Sequence, residues 1–225
     1  MLRGLFVTGT DTGVGKTTVA AALMHRFRSL HTLRYWKPIQ TGIEQDDDTA
    51  TVRELGGCAE NEFHASGIRL LQPVAPYLAA ELSGTRISIA DVVRTLGNEL
   101  DSFRWVVEGA GGVLVPLNES EFMLDLIVAL GMPALIATRS SLGTINHSLL
   151  TIEALRRRRV EIAGVVLIGP ANPGNREAIE RFGNVTIVGE MPHFSSLTAE
   201  TLGGWATSEF DARGLLTRHF TGPNP

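Results

Sequence analysis

The chain has 225 residues, 44% of them hydrophobic and 20% charged, which is enough to close a full core and short for more than two domains. A formal net charge of -4 gives no overall basic field for long stretches of nucleic-acid backbone. The single cysteine, Cys58, cannot make an internal disulfide, and six scattered histidines form no Cys/His group at zinc-ligand spacing. The N-terminus enters strand residues without a charged-then-apolar leader, and the apolar run Phe122 to Leu130 is short and broken by Asp125. A soluble cytoplasmic protein is expected, with neither nucleic acid nor membrane as partner.

Leu5 to Thr8 is a short apolar run, and Gly9-Thr10-Asp11-Thr12-Gly13-Val14-Gly15-Lys16-Thr17-Thr18 follows as a glycine-rich turn that opens a helix. This order predicts a phosphate-binding loop. Glycines let backbone N–H groups close around phosphate oxygens, the helix N-terminus adds its dipole, Lys16 adds a charge, and the Thr17 hydroxyl can hold Mg2+. The loop is a variant of G-x-x-x-x-G-K-[ST], because Thr10 stands where the first glycine is common. Val19, Leu23 and Phe27 then recur at helical spacing, giving one apolar face to pack on a sheet.

Leu33 to Ile39 reads as a strand ended by Lys37-Pro38, since proline removes an N–H. A lysine at a strand's carboxyl end can point at phosphates held by the first loop, although a surface lysine is ordinarily just solvated. Gln40-Thr41-Gly42 turns the chain into Glu44 to Asp48, ahead of a helix expected over Thr49 to Leu55 and stopped by Gly56-Gly57. Aspartates there serve as caps, and a carboxylate beside a nucleotide also suits Mg2+. Pro73 to Pro76 marks an extended turn before a helical stretch from Tyr77 to Leu82, and Ser88 begins another helix with Asp91 three residues on.

In Trp105-Val106-Val107-Glu108-Gly109-Ala110-Gly111-Gly112 a buried strand is expected to end in a carboxylate, with glycines after it. A β-turn explains the glycines but not the acid. By position, Glu108 parallels the metal-holding carboxylate of P-loop enzymes. Pro133 to Thr138 is the next strand, and Arg139 to Thr144 leads into a helix carrying Ile145, Leu149 and Ile152, whose free N–H groups can receive a carboxylate. Arg156 to Arg159 falls at that helix's end, where cations complement the dipole. Val160 to Ile168 is a strand, Gly169 to Gly174 a loop, Arg176 to Phe182 a helix stopped by Gly183, and Val185 to Val188 the closing strand. The alternation predicts one α/β domain over 1–220, P-loop NTPase-like, with a mostly parallel sheet covered by helices on both faces and a flexible tail over 221–225.

Four stretches carry a family resemblance: Val7 to Thr17, Lys37-Pro38-Ile39-Gln40-Thr41-Gly42, Val107-Glu108-Gly109-Ala110-Gly111-Gly112, and Leu142-Gly143-Thr144-Ile145-Asn146-His147. The first and third have relatives across the P-loop class; the second and fourth, in this order and spacing, are far more specific. Over most of its length the chain resembles the dethiobiotin synthetases of the biotin pathway. That resemblance implies a ligase that uses Mg2+ and ATP to close 7,8-diaminopelargonate and CO2 into the cyclic urea dethiobiotin, releasing ADP and phosphate through a carbamate and a carbamic-phosphoric anhydride.

Position by position, the resemblance makes Lys37 the catalytic lysine, Lys16 the phosphate grip that also acts in catalysis, and Thr17, Asp48 and Glu108 the Mg2+ ligands. Nucleotide contacts are implied for Thr12, Gly13, Val14, Gly15, Lys16, Thr17 and Thr18, for Asp48, and for Glu108, Gly109, Ala110 and Gly111. Ile168, Gly169, Pro192, His193 and Phe194 are expected near the base. Thr41 is implied as a substrate contact, and Gly143, Thr144, Ile145 and Asn146 as receivers of the substrate carboxylate from the neighbouring subunit of a homodimer. Two positions depart from the family: some members carry an acid at the place of Gly13, and an adenine-reading asparagine falls on Ile168.

Two rivals stand against this reading. Cobyrinic-acid amidating relatives usually carry a glutaminase portion, for which the chain has no room. A nucleotide-switched interaction ATPase of the partitioning or septum-site type typically places an extra lysine early in the loop, where this chain has Asp11.

Overall fold

The computed structural model describes residues 2–99 and 102–221, so that all of the expected tail except Thr221 lies outside the described residues. Among the described residues eight strands, β1 (Gly4–Gly9), β2 (Leu33–Trp36), β3 (Ile39–Thr41), β4 (Ile68–Leu70), β5 (Arg104–Gly112), β6 (Ala134–Arg139), β7 (Ile162–Ile168) and β8 (Ile187–Met191), are interspersed with helices. The helices are α1 (Lys16–Phe27), α2 (Asp48–Gly56), α3 (Pro76–Leu82), α4 (Ile89–Arg94), α5 (Met123–Leu130), α6 (Thr144–Arg157), α7 (Pro173–Gly183) and α8 (Ala199–Ser208).

Six strands form one sheet in the order β2-β5-β1-β6-β7-β8, and every pairing in it is parallel. Side chains alternate across it as a sheet buried on both faces requires. Leu5, Val7, Val106, Leu135 and Ala137 enter one apolar layer with α1, α2 and α8. Phe6, Val107, Ala134 and Ile136 enter the opposite layer with α3 to α6. The expected α/β class and two-faced cover are therefore correct, and the order puts β1 between β5 and β6, the strands whose ends hold the acidic and threonine-rich loops.

Several expected boundaries move. The single strand expected over Leu33 to Ile39 is two: after Trp36 the chain leaves the main sheet at Lys37-Pro38, and β3 pairs instead with β4 in a separate two-stranded parallel sheet. Proline lacks the N–H a continuing ladder needs, so the break follows from Pro38. Glu108 does not end its strand, since β5 runs on to Gly112, where it pairs with Gly9 after a register shift opposite Val7 and Gly9. Gly109 and its neighbours thus give a strand that bends under the first loop rather than a free turn. Asn172-Pro173-Gly174 is the start of α7, with the Asn172 side chain accepting from the Asn175 N–H and proline at the first helical position. Strand β4 and helices α5 and α8 have no counterpart in the sequence reading.

Candidate active site

The loop between β1 and α1 lies at the carboxyl end of the central strand, the place where open parallel sheets gather ligands. Gly15 has φ 98, and a Cβ on it would come within 2.9 Å of Ile168 Cδ1, so both backbone and space demand glycine here. Val14 turns its side chain into the core, leaving its backbone for a ligand. Lys16 is nearly buried and donates from Nζ to the Asp11 carbonyl at 3.0 Å, closing over the loop. Burial, then repulsion from Lys37, lowers its pKa.

Four side chains converge below the loop. Lys37 Nζ lies 2.5 Å from Asp48 Oδ2 and 2.8 Å from Glu108 Oε1, and it also donates to the Gly109 carbonyl at 3.0 Å. The Thr17 hydroxyl is 2.7 Å from Asp48 Oδ1 and 3.0 Å from Glu108 Oε1; its one proton serves a single acceptor at a time. Glu108, 0% exposed, takes a third donor at Oε2, the Tyr35 hydroxyl at 2.8 Å.

Each position has a local cause. Asp47, not Asp48, caps α2, accepting from the Thr49 and Ala50 N–H groups, so the adjacent Asp48 carboxylate is left to face Thr17 and Lys37. The aspartate run therefore divides its work between cap and site. On the sheet, Leu33, Tyr35 and Val106 share the α1 face, which by strand alternation also carries Glu108 and leads to Lys37. Burial lowers the Lys37 pKa, but the Glu108 and Asp48 charges outweigh it and leave the ammonium above its ordinary value. Burial likewise works against the Asp48 carboxylate, and Lys37 overcomes it, so Asp48 titrates low. For Glu108 burial prevails over Lys37 and its carboxyl is pushed up.

A cleft of about 500 Å³ opens over this cluster, lined by Thr12, Gly13, Lys16, Lys37, Thr41 and Pro73 to Pro76. Asp48, Glu108, Ala110 and Gly111 also line it. The predicted residues thus fall in three places. Ile168 ends β7 beside Gly15, and at Gly169, the next residue, the His193 ring comes within 3.4 Å of where a Cβ would stand. Pro192 and His193 are exposed there, whereas Phe194 is partly buried against the core. Gly143, φ 93, precedes α6 away from the cleft. Thr144 turns inward to Thr138, Oγ1 to Oγ1 at 2.9 Å, so it offers its backbone rather than its hydroxyl outward. Ile145 is half-buried, and exposed Asn146 borders an apolar groove of about 730 Å³ between α5 and α6. Among the described residues, those that line the cleft do not include Gly143 to Asn146.

Besides the Pro73 to Pro76 wall, two residues that support the site carry no role in the sequence analysis. Gln40, buried, donates from Nε2 to the Asp46 carbonyl at 2.8 Å and so braces the loop that delivers Asp48. Tyr35 is the other; its signal was its place two residues before Lys37, the spacing that puts strand side chains on one face.

The sheet order, the glycine loop at β1 and the lysine–carboxylate cluster beneath it define a P-loop nucleotide-dependent enzyme. A family model described as "AAA domain" matches residues 3–201. The chain is 45% identical over 213 residues to an ATP-dependent dethiobiotin synthetase BioD of Paramagnetospirillum magneticum, covering 95% of this chain and 99% of that protein. It is 43% identical over 202 residues to the BioD of Nitrobacter hamburgensis, covering 90% and 92%. The chain belongs to the dethiobiotin synthetase family. Among solved structures, a ParA family ATPase from Chlorobium tepidum TLS overlays with a TM-score of 0.55 at 11% identity, covering 91% of this chain and 98% of that one. A MinC:MinD complex from Aquifex aeolicus gives 0.58 at 14%, covering 96% and 94%. Those likenesses are of fold alone. Among the described residues no helix is long and apolar enough to cross a membrane.

Proposed function

We propose that this chain is an ATP-dependent dethiobiotin synthetase that joins CO2 to 7,8-diaminopelargonate and closes the ring by activating a carbamate with the γ-phosphate of ATP. The observation that carries this reading is the buried meeting of Lys37 with Asp48, Glu108 and Thr17 directly below the phosphate loop. One amine captures CO2 as a carbamate, and a carbamate oxygen attacks the γ-phosphate, expelling ADP. The second amine then attacks the carbonyl carbon, and phosphate leaves with the oxygen it received. Positioning and charge stabilisation suffice for such steps. Lys37, held protonated by two carboxylates, has its three N–H groups on Asp48, Glu108 and the Gly109 carbonyl in this structure, so it reaches the carbamate and the migrating phosphoryl group by giving up carboxylate contacts, while Lys16 grips the phosphates. Thr41 and the Pro73 to Pro76 wall flank the substrate.

The donor set suits Mg2+. Mg2+ is a hard cation that takes carboxylate and hydroxyl oxygens, and Thr17 Oγ1 lies within hydrogen-bond distance of Asp48 and Glu108, at 2.7 Å and 3.0 Å, so these three residues would hold it. Among the described residues no group of three or more His, Cys, Asp or Glu forms an all-protein cage. Two carboxylates, a hydroxyl and substrate phosphates are the mixed set that Mg2+ usually takes. When bound, it would neutralise charge developing on the phosphates.

The substrate carboxylate is assigned to the backbone of Gly143 to Asn146 in a second copy, giving a homodimer with a shared site. The exposed apolar face around Leu114, Phe122 and Leu150, and Leu142 at 102% exposure, supports it. The test is turnover with purified protein, Mg2+, ATP and bicarbonate. Phosphate release that depends on diaminopelargonate and matches dethiobiotin formed is expected. Slow release indifferent to the diamine would favour a nucleotide switch instead.

A further inference from the structure

We propose that Tyr35 is a positioning residue for the divalent-cation site, its hydroxyl fixing the Glu108 carboxylate so that Oε1 faces Thr17; this rests on the Mg2+ reading above. Tyr35 stands on β2 opposite Val106 of β5, two residues short of Glu108. The hydroxyl donates to Glu108 Oε2 at 2.8 Å inside the protein. Its ring is only 1% exposed and packs edge-on against Phe63, centroids 5.7 Å apart, while the His64 N–H donates to the Tyr35 carbonyl at 2.9 Å. Ring and backbone are therefore both held, and the phenol cannot swing away from the carboxylate.

The two oxygens of Glu108 are thereby given different tasks. Oε2 is taken by Tyr35, and Oε1 meets Lys37 Nζ at 2.8 Å and Thr17 Oγ1 at 3.0 Å. Phenylalanine would keep the ring and its packing but leave Oε2 in a dry pocket without a donor. A buried carboxylate in that position rotates to bring the stranded Oε2 to Lys37 as well, the cation at hand, and the rotation carries Oε1 away from Thr17. Groups that orient a metal ligand this way are typically worth about 10–100-fold in metal affinity.

The experiment uses the full chain with ADP and Mn2+ as the probe, bound Mn2+ being read by electron paramagnetic resonance. Tyr35→Phe is expected to weaken Mn2+ binding about tenfold or more, with ADP affinity in EDTA unchanged. Phe63→Leu, which disturbs the same packing but keeps the hydroxyl, should leave Mn2+ affinity as in the parent. A double-mutant cycle isolates the route: in a Glu108→Gln background the Tyr35→Phe change should cost nothing further. Parental Mn2+ affinity in Tyr35→Phe, or equal losses in both backgrounds, overturns the proposal. Failure of the parent itself to bind Mn2+ with ADP would instead bring down the cation reading on which the proposal rests.

Discussion

Lys37, one residue past the end of β2, meets Glu108 on the neighbouring strand β5, Nζ to Oε1 at 2.8 Å, with side-chain exposures of 3% and 0%. A buried carboxylate of this kind depends on its cation. Removing one partner of a buried pair costs about 3–5 kcal/mol of stability, so metal-free Lys37→Ala should unfold more easily, and Mg2+ should raise its Tm more than the parent's. Its turnover should fall by about two orders of magnitude or more, the usual scale for a preorganised electrostatic group, with nucleotide affinity nearly kept. Lys16→Ala should differ, weakening both nucleotide affinity and turnover. Unchanged affinity in that variant would contradict the phosphate role of the loop.

The same cluster sets a pH signature. The Lys37 pKa is raised against burial by Glu108 and Asp48, so its contribution to stability is complete below the unfolded lysine value and is lost as pH rises through the folded one. Asp48 titrates low, so its share is present above the unfolded aspartate value and lost as pH falls through the folded one. Glu108 titrates high, mainly through burial, and opposes Asp48 on the acid side. The alkaline side is thus the cleaner readout. In urea unfolding, the stability gap between the parent and Lys37→Met should narrow as pH climbs past about 10.4; a gap independent of pH would separate Lys37 from this linkage.

Much of this arrangement was legible from residues alone, for reasons that are local. The glycine loop, Lys16 and Thr17 follow from a short contiguous pattern, and Glu108 stood out as an acid in an apolar run. What was hidden depends on pairing between distant segments. That Pro38 sends β3 off to β4 requires Ile68 to Leu70 as a partner, a run too short to declare itself. Asp47 and Asp48 are equal in sequence, and only the helix start distinguishes cap from site. Tyr35 looks like one more core aromatic until Glu108 is seen beside it, and among the described residues the fourth motif, Gly143 to Asn146, does not line the cleft over Lys37.

The shared site proposed above makes a complementation result expected. Mixing inactive Lys37→Ala with an inactive chain altered at Gly143, whose φ of 93 excludes most side chains, should restore partial activity once subunits exchange. Exchange is measured separately with two affinity tags. Mixed dimers that form and stay inactive would place both elements in one chain's site.

Base selectivity should be weak. Ile168 lies against Gly15 beside the phosphate loop and offers neither donor nor acceptor from its side chain. Asn175, nearby, has its amide engaged with the Ser140 carbonyl at 2.8 Å. Stacking tolerates any base, and a site without a buried polar partner does not reject the wrong one strongly. ATP should be favoured over CTP or GTP by less than about tenfold in kcat/KM, or ~1.4 kcal/mol. A nucleotide panel at fixed Mg2+ measures this, and a preference above about a hundredfold would mean that backbone groups of Ile168-Gly169 or Pro192 to Phe194 read adenine.

The central claim is that a carbamate oxygen is handed to phosphate, and oxygen labelling follows that atom. Bicarbonate enriched in 18O, supplied with diaminopelargonate, ATP and Mg2+ in incubations shorter than exchange of CO2 with water, gives a carbamate labelled at both oxygens. Mass spectrometry should find one 18O in each phosphate released, one in the carbonyl of each dethiobiotin, and equal amounts of the two products. Unlabelled phosphate, or phosphate released without dethiobiotin, would contradict the account.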